Sequence, residues 1–353
     1  MIKEAIAALV DEQRDLTEEE ARGAMQDIMR AGQDESLTGG ETVATPAQFG
    51  SFVTALRMKG ETVDEIVGMA KAMRAYALHV DIEARPLLDT AGTGGSSKKV
   101  FNASTAAAFV AAAAGAKVAK HGNRAMTSKS GSADLLEALG AQIALTPAQV
   151  AQCVDQTGVG FMFAQSFHPA MKFAGPLRPQ IGVRTIFNIL GPLTNPAGAN
   201  CHVMGVANAQ LGEKLAEALA RLDMRHALVV TGDDGLDDLT VTGESTVFEV
   251  KANQVTRRMV TPSDLGVSKH AFSDIQGGTP EENAAILRDI FRGEGPRAVR
   301  DLVVANAAAG LYVTGLASSL KHGAELAVQA IDSGDAAAKT GAFVEATRRA
   351  AAS

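Results

Sequence analysis

The stretch Asp89–Gly140 reads DTAGTGGSSKKVFNASTAAAFVAAAAGAKVAKHGNRAMTSKSGSADLLEALG. It holds two glycine-punctuated polar loops, each just after a short apolar run and just before a helical pattern. The first is Gly92-Thr93-Gly94-Gly95, followed by Asn102-Ala103-Ser104-Thr105. The second is Lys120-His121-Gly122-Asn123-Arg124, with Ser128 and Ser130-Gly131-Ser132. Loops of this kind turn backbone N–H groups and a helix N-terminus toward an anion. Two of them close together, the second with Lys and Arg, suggest a ligand with more than one phosphate. A glycine-rich turn between strand and helix also serves as a tight turn alone, and neither GxGxxG nor GxxxxGK[ST] is present. The company of Gly, Ser, Thr, Asn and Lys, where a plain connection would be short, favours the phosphate site.

Outward from this stretch the pattern is α/β. Short apolar runs predict strands at Pro86–Leu88, Lys117–Ala119, Gly160–Ala164, Val203–Ala207 and Ala227–Thr231. Helical patterns start between them near Ser104, Ser132, Thr146 and Ala209, which argues a largely parallel sheet. Leu239–Val260 reads instead as antiparallel strands, with Val241, Val247, Phe248, Val250 and Val255 around the turn residues Thr242-Gly243-Glu244. Thr279-Pro280-x-Glu282 opens a further helix, and helices dominate from there on.

Before His79 the chain is helical. Thr17-x-x-Glu20 is a capping box, with Ala21, Met25, Ile28 and Met29 behind it at helical spacing. Thr45, Pro46 and Gln48 open a second helix, with Phe49, Phe52, Val53 and Leu56 on one face and Gly60 as the stop. Thr62-x-x-Glu65 opens a third, with Ile66, Met69, Ala70 and Met73. These stripes read as packing, in the core or at a dimer contact. The fold class is therefore α/β: a small all-helical N-terminal domain plus a larger α/β domain with a mostly parallel central sheet flanked by helices.

The chain of 353 residues, 46% of them hydrophobic, can bury a full core. Abundant Ala and Gly without Trp suit close helix packing. The formal net charge of −7 argues against general nucleic-acid binding. Cys153 and Cys201, the only cysteines, imply neither a disulfide framework nor a zinc site. Ile2–Val10 is short and interrupted by Lys3 and Glu4, so it does not read as a secretory segment. Ala106–Ala114 is too short to cross a bilayer. The expectation is a cytoplasmic protein with no membrane partner.

The blocks GTGG with N-x-S-T, KHGNR, SKSGSAD-x-LEALG, HPAMK, RTIFNILGPLTNP and GDDGLDDLT together resemble the anthranilate phosphoribosyltransferase family. The likeness extends to the helical N-terminus and to the late GPRAVRDLVVANAAA segment. GTGG is shared with the related pyrimidine-type nucleoside phosphorylases; KHGNR and RTIFNILGPL are the specific blocks. The resemblance implies magnesium-dependent transfer of the phosphoribosyl group of phosphoribosyl pyrophosphate to the amine of anthranilate, in tryptophan biosynthesis. It implies a homodimer formed through the helical domain. It also implies that His168–Pro196, which fits neither a clean strand nor a simple crossover, returns to the N-terminal helices. The domains would then be 1–78, completed by about 168–195, and 79–167 with 196–353. The active site would lie in the cleft between them.

The same resemblance distributes roles. Gly92, Thr93, Gly94 and Gly95 supply N–H groups to phosphoribosyl pyrophosphate; Asn102, Ser104, Thr105, Lys120 and Ser132 add side-chain contacts. Arg178 binds the anthranilate carboxylate, with His121, Asn123, His168 and Gly92 nearby. Asp237 and Asp238, just beyond a strand, hold two magnesium ions with Ser104. Taken alone, the four carboxylates Asp233, Asp234, Asp237 and Asp238 also read as a solvated acidic loop, Ser104 as a plain helix cap, and His168 as structural. An aryl amine needs no strong base, so no general base is assigned. The chain departs from the family at two positions: Ser96 stands where the family has Asp, and Asp238 where it has Glu. Two alternatives remain. One is a nucleoside phosphorylase, which KHGNR and the lack of a KxSxGGxxD-like loop oppose. The other is a non-enzymatic nucleic-acid-binding paralogue, which the acidic pair and the net charge oppose.

Overall fold

A computed structural model describes residues 1–33, 43–94, 98, 100–125 and 129–352. The chain divides into two compact units, Met1–His79 with Gln165–Pro196, and Val80–Ala164 with Ala197–Ser353.

The first unit is helical. It contains α1 (Ile2–Val10), α2 (Glu18–Ala31), α3 (Pro46–Lys59) and α4 (Val63–Ala75). Thr17, Thr45 and Thr62 cap the last three, each in a reciprocal box with Glu20, Gln48 or Glu65. The predicted apolar stripes of these helices are all buried. Gly68 lets α4 lie close on α2, since a Cβ there would stand 2.1 Å from the Glu18 carbonyl oxygen. The segment after Gln165 joins the same unit. Phe49 of α3 packs against Phe173 and Phe187, with ring centroids at 5.9 and 5.6 Å. Arg74 Nε donates to the Leu193 carbonyl at 2.7 Å.

The second unit is built on a seven-stranded sheet. In chain order its elements are β1 (Leu87–Gly92), α5 (Ala103–Ala113), β2 (Lys117–Gly122), α6 (Ser132–Leu139), α7 (Pro147–Thr157) and β3 (Val159–Phe163). In the first unit α8 (Met171–Ile181) follows in sequence. The sheet resumes with β4 (Cys201–Gly205), α9 (Ala209–Arg221), β5 (His226–Gly232), β6 (Ser245–Lys251) and β7 (Gln254–Val260). Helices α10 (Pro280–Phe291), α11 (Arg297–Thr314), α12 (Leu320–Asp332) and α13 (Asp335–Ala352) complete it.

The strand order is β3-β2-β1-β4-β5-β6-β7. Strands β1 to β5 pair in parallel, and β6 and β7 add antiparallel. Parallel strands buried on both faces need near-continuous apolar runs, as β3, β4 and β5 have. The alanines of α5 allow close packing against the small residues of α11; at Gly310 a Cβ would come 2.9 Å from Leu88 Cδ2.

Two boundaries differ from the sequence reading. Strands β1 and β2 continue past Leu88 and Ala119 into polar residues, because the sheet itself satisfies them: the Asp89 carboxylate accepts from His121 N at 3.1 Å. The antiparallel pair turns at Ala252-Asn253, not at Thr242-Gly243-Glu244. Asp234 explains this. Its carboxylate accepts from the hydroxyls of Thr240 and Thr242, folding Leu239–Glu244 into a loop instead of a strand.

Candidate active site

Open α/β sheets bind ligands outside the carboxyl ends of their strands, where the chain order reverses. Here the order runs outward from β1 to β2 and β3 on one side, and from β4 to β5 on the other. The switch point is therefore the β1/β4 pair. Four adjacent parallel strands end there in glycine: Gly122, Gly92, Gly205 and Gly232. Gly92 and Gly205 are in register.

These glycines make room for the acidic loop after β5. A Cβ on Gly205 would lie 1.6 Å from the Asp237 carbonyl oxygen. A Cβ on Gly92 would lie 3.2 Å from Asp237 Oδ2 and 3.1 Å from the Gly205 carbonyl. Thr93 N donates to that same carbonyl at 2.8 Å, bending the chain off β1 into the first loop. Gly94 continues the bend with φ +64. Behind the loop, Asn306 of α11 clamps the residue after the acidic pair. It accepts from Leu239 N at 3.0 Å and donates to the Leu239 carbonyl at 3.0 Å. A cavity is lined by Thr90, Gly92, Ser104, Gly205, Asp237 and Asp238, among others.

Three charged side chains set the electrostatics. Lys120 is buried at the end of β2. Its ammonium donates to the Thr90 carbonyl and lies 3.4 Å from Ser104 Oγ. Burial pushes Lys120 down to about 8, against the opposing pull of Asp89 and Asp238. Burial and the neighbouring Asp237 push Asp238 well above the usual carboxylate range, partly offset by Lys120. Ionised together, the two adjacent carboxylates would carry more negative charge than one buried ammonium answers. Such a site favours a cation, and oxygen donors suit a hard one such as Mg²⁺. Among the described residues no group of three or more His, Cys, Asp or Glu side chains converges into a metal cage. The pair fits an ion that keeps waters or shares substrate oxygens.

The other two acids of the loop are placed differently, although Asp234 is near enough to add to the upward push on Asp238. Asp234 is engaged by Thr240, Thr242 and the Leu236 N–H. Asp233 is exposed.

The remaining predicted residues fall in two groups. In the α/β unit, Asn102 donates to the Ser130 carbonyl at 2.9 Å and accepts from Asn283 at 2.8 Å, which ties the two loops together. Asn102 is itself the residue before α5, and Ser104 lies inside the helix, so Ser104 is not its cap. Thr105 Oγ1 donates to Ser132 Oγ at 3.1 Å, joining the starts of α5 and α6. His121 is buried at the end of β2, and Asn123 is exposed just beyond it. Arg124 pairs with Asp134 and Glu137 of α6, so its charge is engaged inside the second loop. In the helical unit, His168 is buried, which pushes its imidazole down to about 4. Arg178 lies in the last turn of α8, its guanidinium 5.9 Å from the Phe187 ring centre, and burial pushes it down from its usual value. Gly95, Ser96 and Ser128 lie outside the described residues.

Sequence reasoning missed Gly205, Asn306 and Asp89 as parts of this site. Asn306 carried a usable signal: a lone amide inside the apolar run of α11 needs a buried partner. Gly205 carried only its place at the end of an apolar run.

Comparison with known proteins agrees with this geometry. Residues 84–337 match the family model described as the α/β domain of a glycosyl transferase family, and residues 3–77 match that family's helical bundle domain. Anthranilate phosphoribosyltransferase of Chloroflexus aurantiacus is 52% identical over 350 residues, 98% of this chain and 99% of the relative. The crystal structure of the enzyme from Thermus thermophilus superposes with a TM-score of 0.88 at 42% identity, covering 98% of this chain and 99% of that one. The Saccharomyces cerevisiae enzyme in complex with phosphoribosyl pyrophosphate and Mg matches with a TM-score of 0.87 at 28% identity, covering 99% and 98%. On its sequence and its fold, the chain belongs to the anthranilate phosphoribosyltransferase family.

Proposed function

We propose that this chain transfers the phosphoribosyl group of phosphoribosyl pyrophosphate to the amine of anthranilate, with magnesium, in tryptophan biosynthesis. The products are N-(5-phosphoribosyl)anthranilate and pyrophosphate. The observation that carries this reading is the crevice at the β1/β4 switch point, where a glycine shelf, Ser104, buried Lys120 and the Asp237–Asp238 pair gather. The yeast relatives bound to phosphoribosyl pyrophosphate with Mg, and to 4-fluoroanthranilate, support the choice of substrates.

The nitrogen lone pair of anthranilate attacks the anomeric carbon. The bond from that carbon to the pyrophosphate oxygen breaks, and pyrophosphate leaves with the electron pair. The new secondary amine gives up one proton to solvent. Little covalent chemistry falls to the protein; it aligns the reactants and offsets the leaving charge. Gly92, Thr93, Gly94 and Gly95 offer backbone N–H groups to the phosphates, and Lys120 offers an ammonium. Asn102, Thr105 and Ser132 hold the two loops in position beside them. Asp237, Asp238 and Ser104 would hold magnesium, two ions in this reading, and magnesium there would supply positive charge to offset that of the departing pyrophosphate. We assign the anthranilate carboxylate to Arg178, and the remaining contacts to His121, Asn123, His168 and Gly92. His168, neutral near pH 7, orients the substrate and does not balance its charge.

The two units are read as a helical domain and a phosphoribosyl-pyrophosphate-binding domain. The helical unit also bears exposed Met1, Val10, Met58 and Leu78, which support a homodimer formed through it. Light scattering at micromolar concentration tests that; a monomer mass would overturn it. Among the described residues no helix is long and apolar enough to cross a membrane. The family's biosynthetic role favours the cytoplasm. The decisive experiment is steady-state turnover with phosphoribosyl pyrophosphate, magnesium and anthranilate, followed by loss of anthranilate fluorescence. Absence of magnesium-dependent loss would sink the proposal.

A further inference from the structure

A second cavity, of about 660 Å³, opens at the opposite end of β5 from the acidic loop. That volume lies in the range of small-molecule sites, roughly 300–1,000 Å³. Its floor is apolar: Met224, Val313 and Ala317 are all buried there. Two rings complete the floor. His226 and Tyr312 meet edge to face with centroids 5.0 Å apart. One polar atom of each ring is engaged by Glu249, which does not line the cavity. Glu249 Oε1 contacts His226 Nε2 at 2.8 Å and accepts from the Tyr312 hydroxyl at 2.8 Å. Arg258 adds a cation at 3.4 Å, so the Glu249 charge is answered locally. The rings therefore offer the cavity carbon surface.

The rim has the opposite character. Arg225 opens β5, and Lys251 stands directly across from His226 at the end of β6. The two-residue turn Ala252-Asn253, with φ of 51 and 59, fixes the backbone beside Lys251. Among the described residues neither Arg225 nor Lys251 is held in an ion pair, and both are exposed on the rim. Asp223 on the same rim is the one acidic residue among the described lining residues, which leaves the two cations with one charge in excess. An apolar floor under a singly positive rim complements an amphipathic monoanion.

We propose that this cavity binds a small apolar carboxylate, with its hydrocarbon or aromatic body on Met224, Val313, Ala317 and the two rings, and its carboxylate between Arg225 and Lys251. The site is separate from the acidic-loop crevice and does not depend on the reaction assigned to it.

The probe is 3-phenylpropionate, with binding to the full chain measured by calorimetry and by saturation-transfer NMR. Its neutral isostere 3-phenylpropan-1-ol serves as the control. The acid should bind at least about tenfold tighter than the alcohol, because charge-assisted hydrogen bonds hold only the acid. Arg225→Gln with Lys251→Gln should remove that preference while leaving turnover of anthranilate within about twofold of wild type, since neither residue lies at the switch point. Arg178→Ala, which removes the cation assigned to anthranilate in the helical unit, should leave the affinity of the probe unchanged. Equal affinity of the acid for wild type and the double variant would overturn the proposal. So would loss of probe binding in Arg178→Ala, or no binding at about 1 mM.

Discussion

Two carboxylates, one in each unit, are treated in opposite ways: Glu65 is fully buried, and Asp238 is half-buried. In the helical unit, Glu65 has no exposed surface and accepts from Leu16 N at 2.9 Å, Thr62 N at 2.8 Å and Lys59 Nζ at 3.1 Å. Its sequence neighbourhood advertises only a capping box, yet it also ties the loop before α2 to the start of α4. In the α/β unit, Asp238 accepts no hydrogen bond among the described residues. It stands beside Asp237, and its carboxyl is pushed well above the usual range. A buried carboxylate with its donors in place stabilises a fold. One left beside a like charge destabilises the empty site and awaits a cation. The difference separates an acid that holds the fold from one arranged to take a cation.

The sharpest way to break this contrast is to remove the pair assigned to magnesium. Asp237→Asn with Asp238→Asn should lower kcat by roughly a thousandfold or more, since a single preorganised stabilising group is commonly worth 10²–10³. The same variant should melt no lower than wild type, because it relieves like-charge repulsion. Magnesium-dependent turnover that survives the double substitution would return the pair to the status of an acidic loop.

The structural acid should respond the other way. Glu65→Ala leaves two N–H groups without their acceptor and takes one of its partners from the Lys59 ammonium, which keeps Asp15 and the Gly60 carbonyl, at a cost of about 3 kcal/mol in stability. The Michaelis constants of whatever remains folded should stay near those of wild type. Urea denaturation measures the first and steady-state kinetics the second. A large kinetic defect with unchanged stability would reverse the contrast.

Arg178 tests the reading on the helical unit's own charge. Arg178→Ala should raise the apparent Michaelis constant for anthranilate by about ten- to a hundredfold, from the roughly 1.5–3 kcal/mol of a charge-assisted hydrogen bond. That for phosphoribosyl pyrophosphate should change little. If the effect fell on the phosphoribosyl substrate alone, the two assignments would have to be exchanged.

His168 gives a pH signature. In the folded chain its imidazole binds a proton only near pH 4, because burial disfavours the charged form. In the unfolded chain it does so near 6.5. Between those values the unfolded state holds more protons, so stability falls as pH drops through that window. Between about pH 7 and about pH 5 the loss should be about 2 kcal/mol. His168→Asn should flatten that part of the profile in denaturant titrations; an unchanged slope would show that another group titrates there.

Much of the fold was legible because its signals are local. Capping boxes at Thr17, Thr45, Thr62 and Thr279 need only a residue and its neighbour three places on, and each forms as read. The strand ends were not legible. Asp89, Thr90, Lys120 and His121 look like loop residues until the adjacent strands satisfy them. The turn at Ala252-Asn253 was hidden for a related reason: Asp234 draws Thr240 and Thr242 out of the strand, which no local pattern declares. Gly205 was hidden most deeply. Its role is the space it leaves for the Asp237 backbone, and that depends on where β4 lies in the sheet.

The smallest effect is expected at Asp238, where the sequence reading expects Glu. Asp238→Glu lengthens the side chain by one methylene at constant charge. The loop that carries it is fixed from behind by Asn306 and from below by Gly205, so the backbone has little freedom to retreat. The small crevice in front of it is walled in part by Gly92 and Gly205, which bring no side chain, beside Ser104 and Asp237. A longer carboxylate should therefore reach forward without displacing the loop, and turnover at limiting magnesium should stay within about threefold of wild type or improve. Magnesium titrations of the two proteins decide it. A requirement raised about tenfold in the Glu form, with unchanged turnover at saturating magnesium, would show that the ion's position has been rebuilt around the shorter acid.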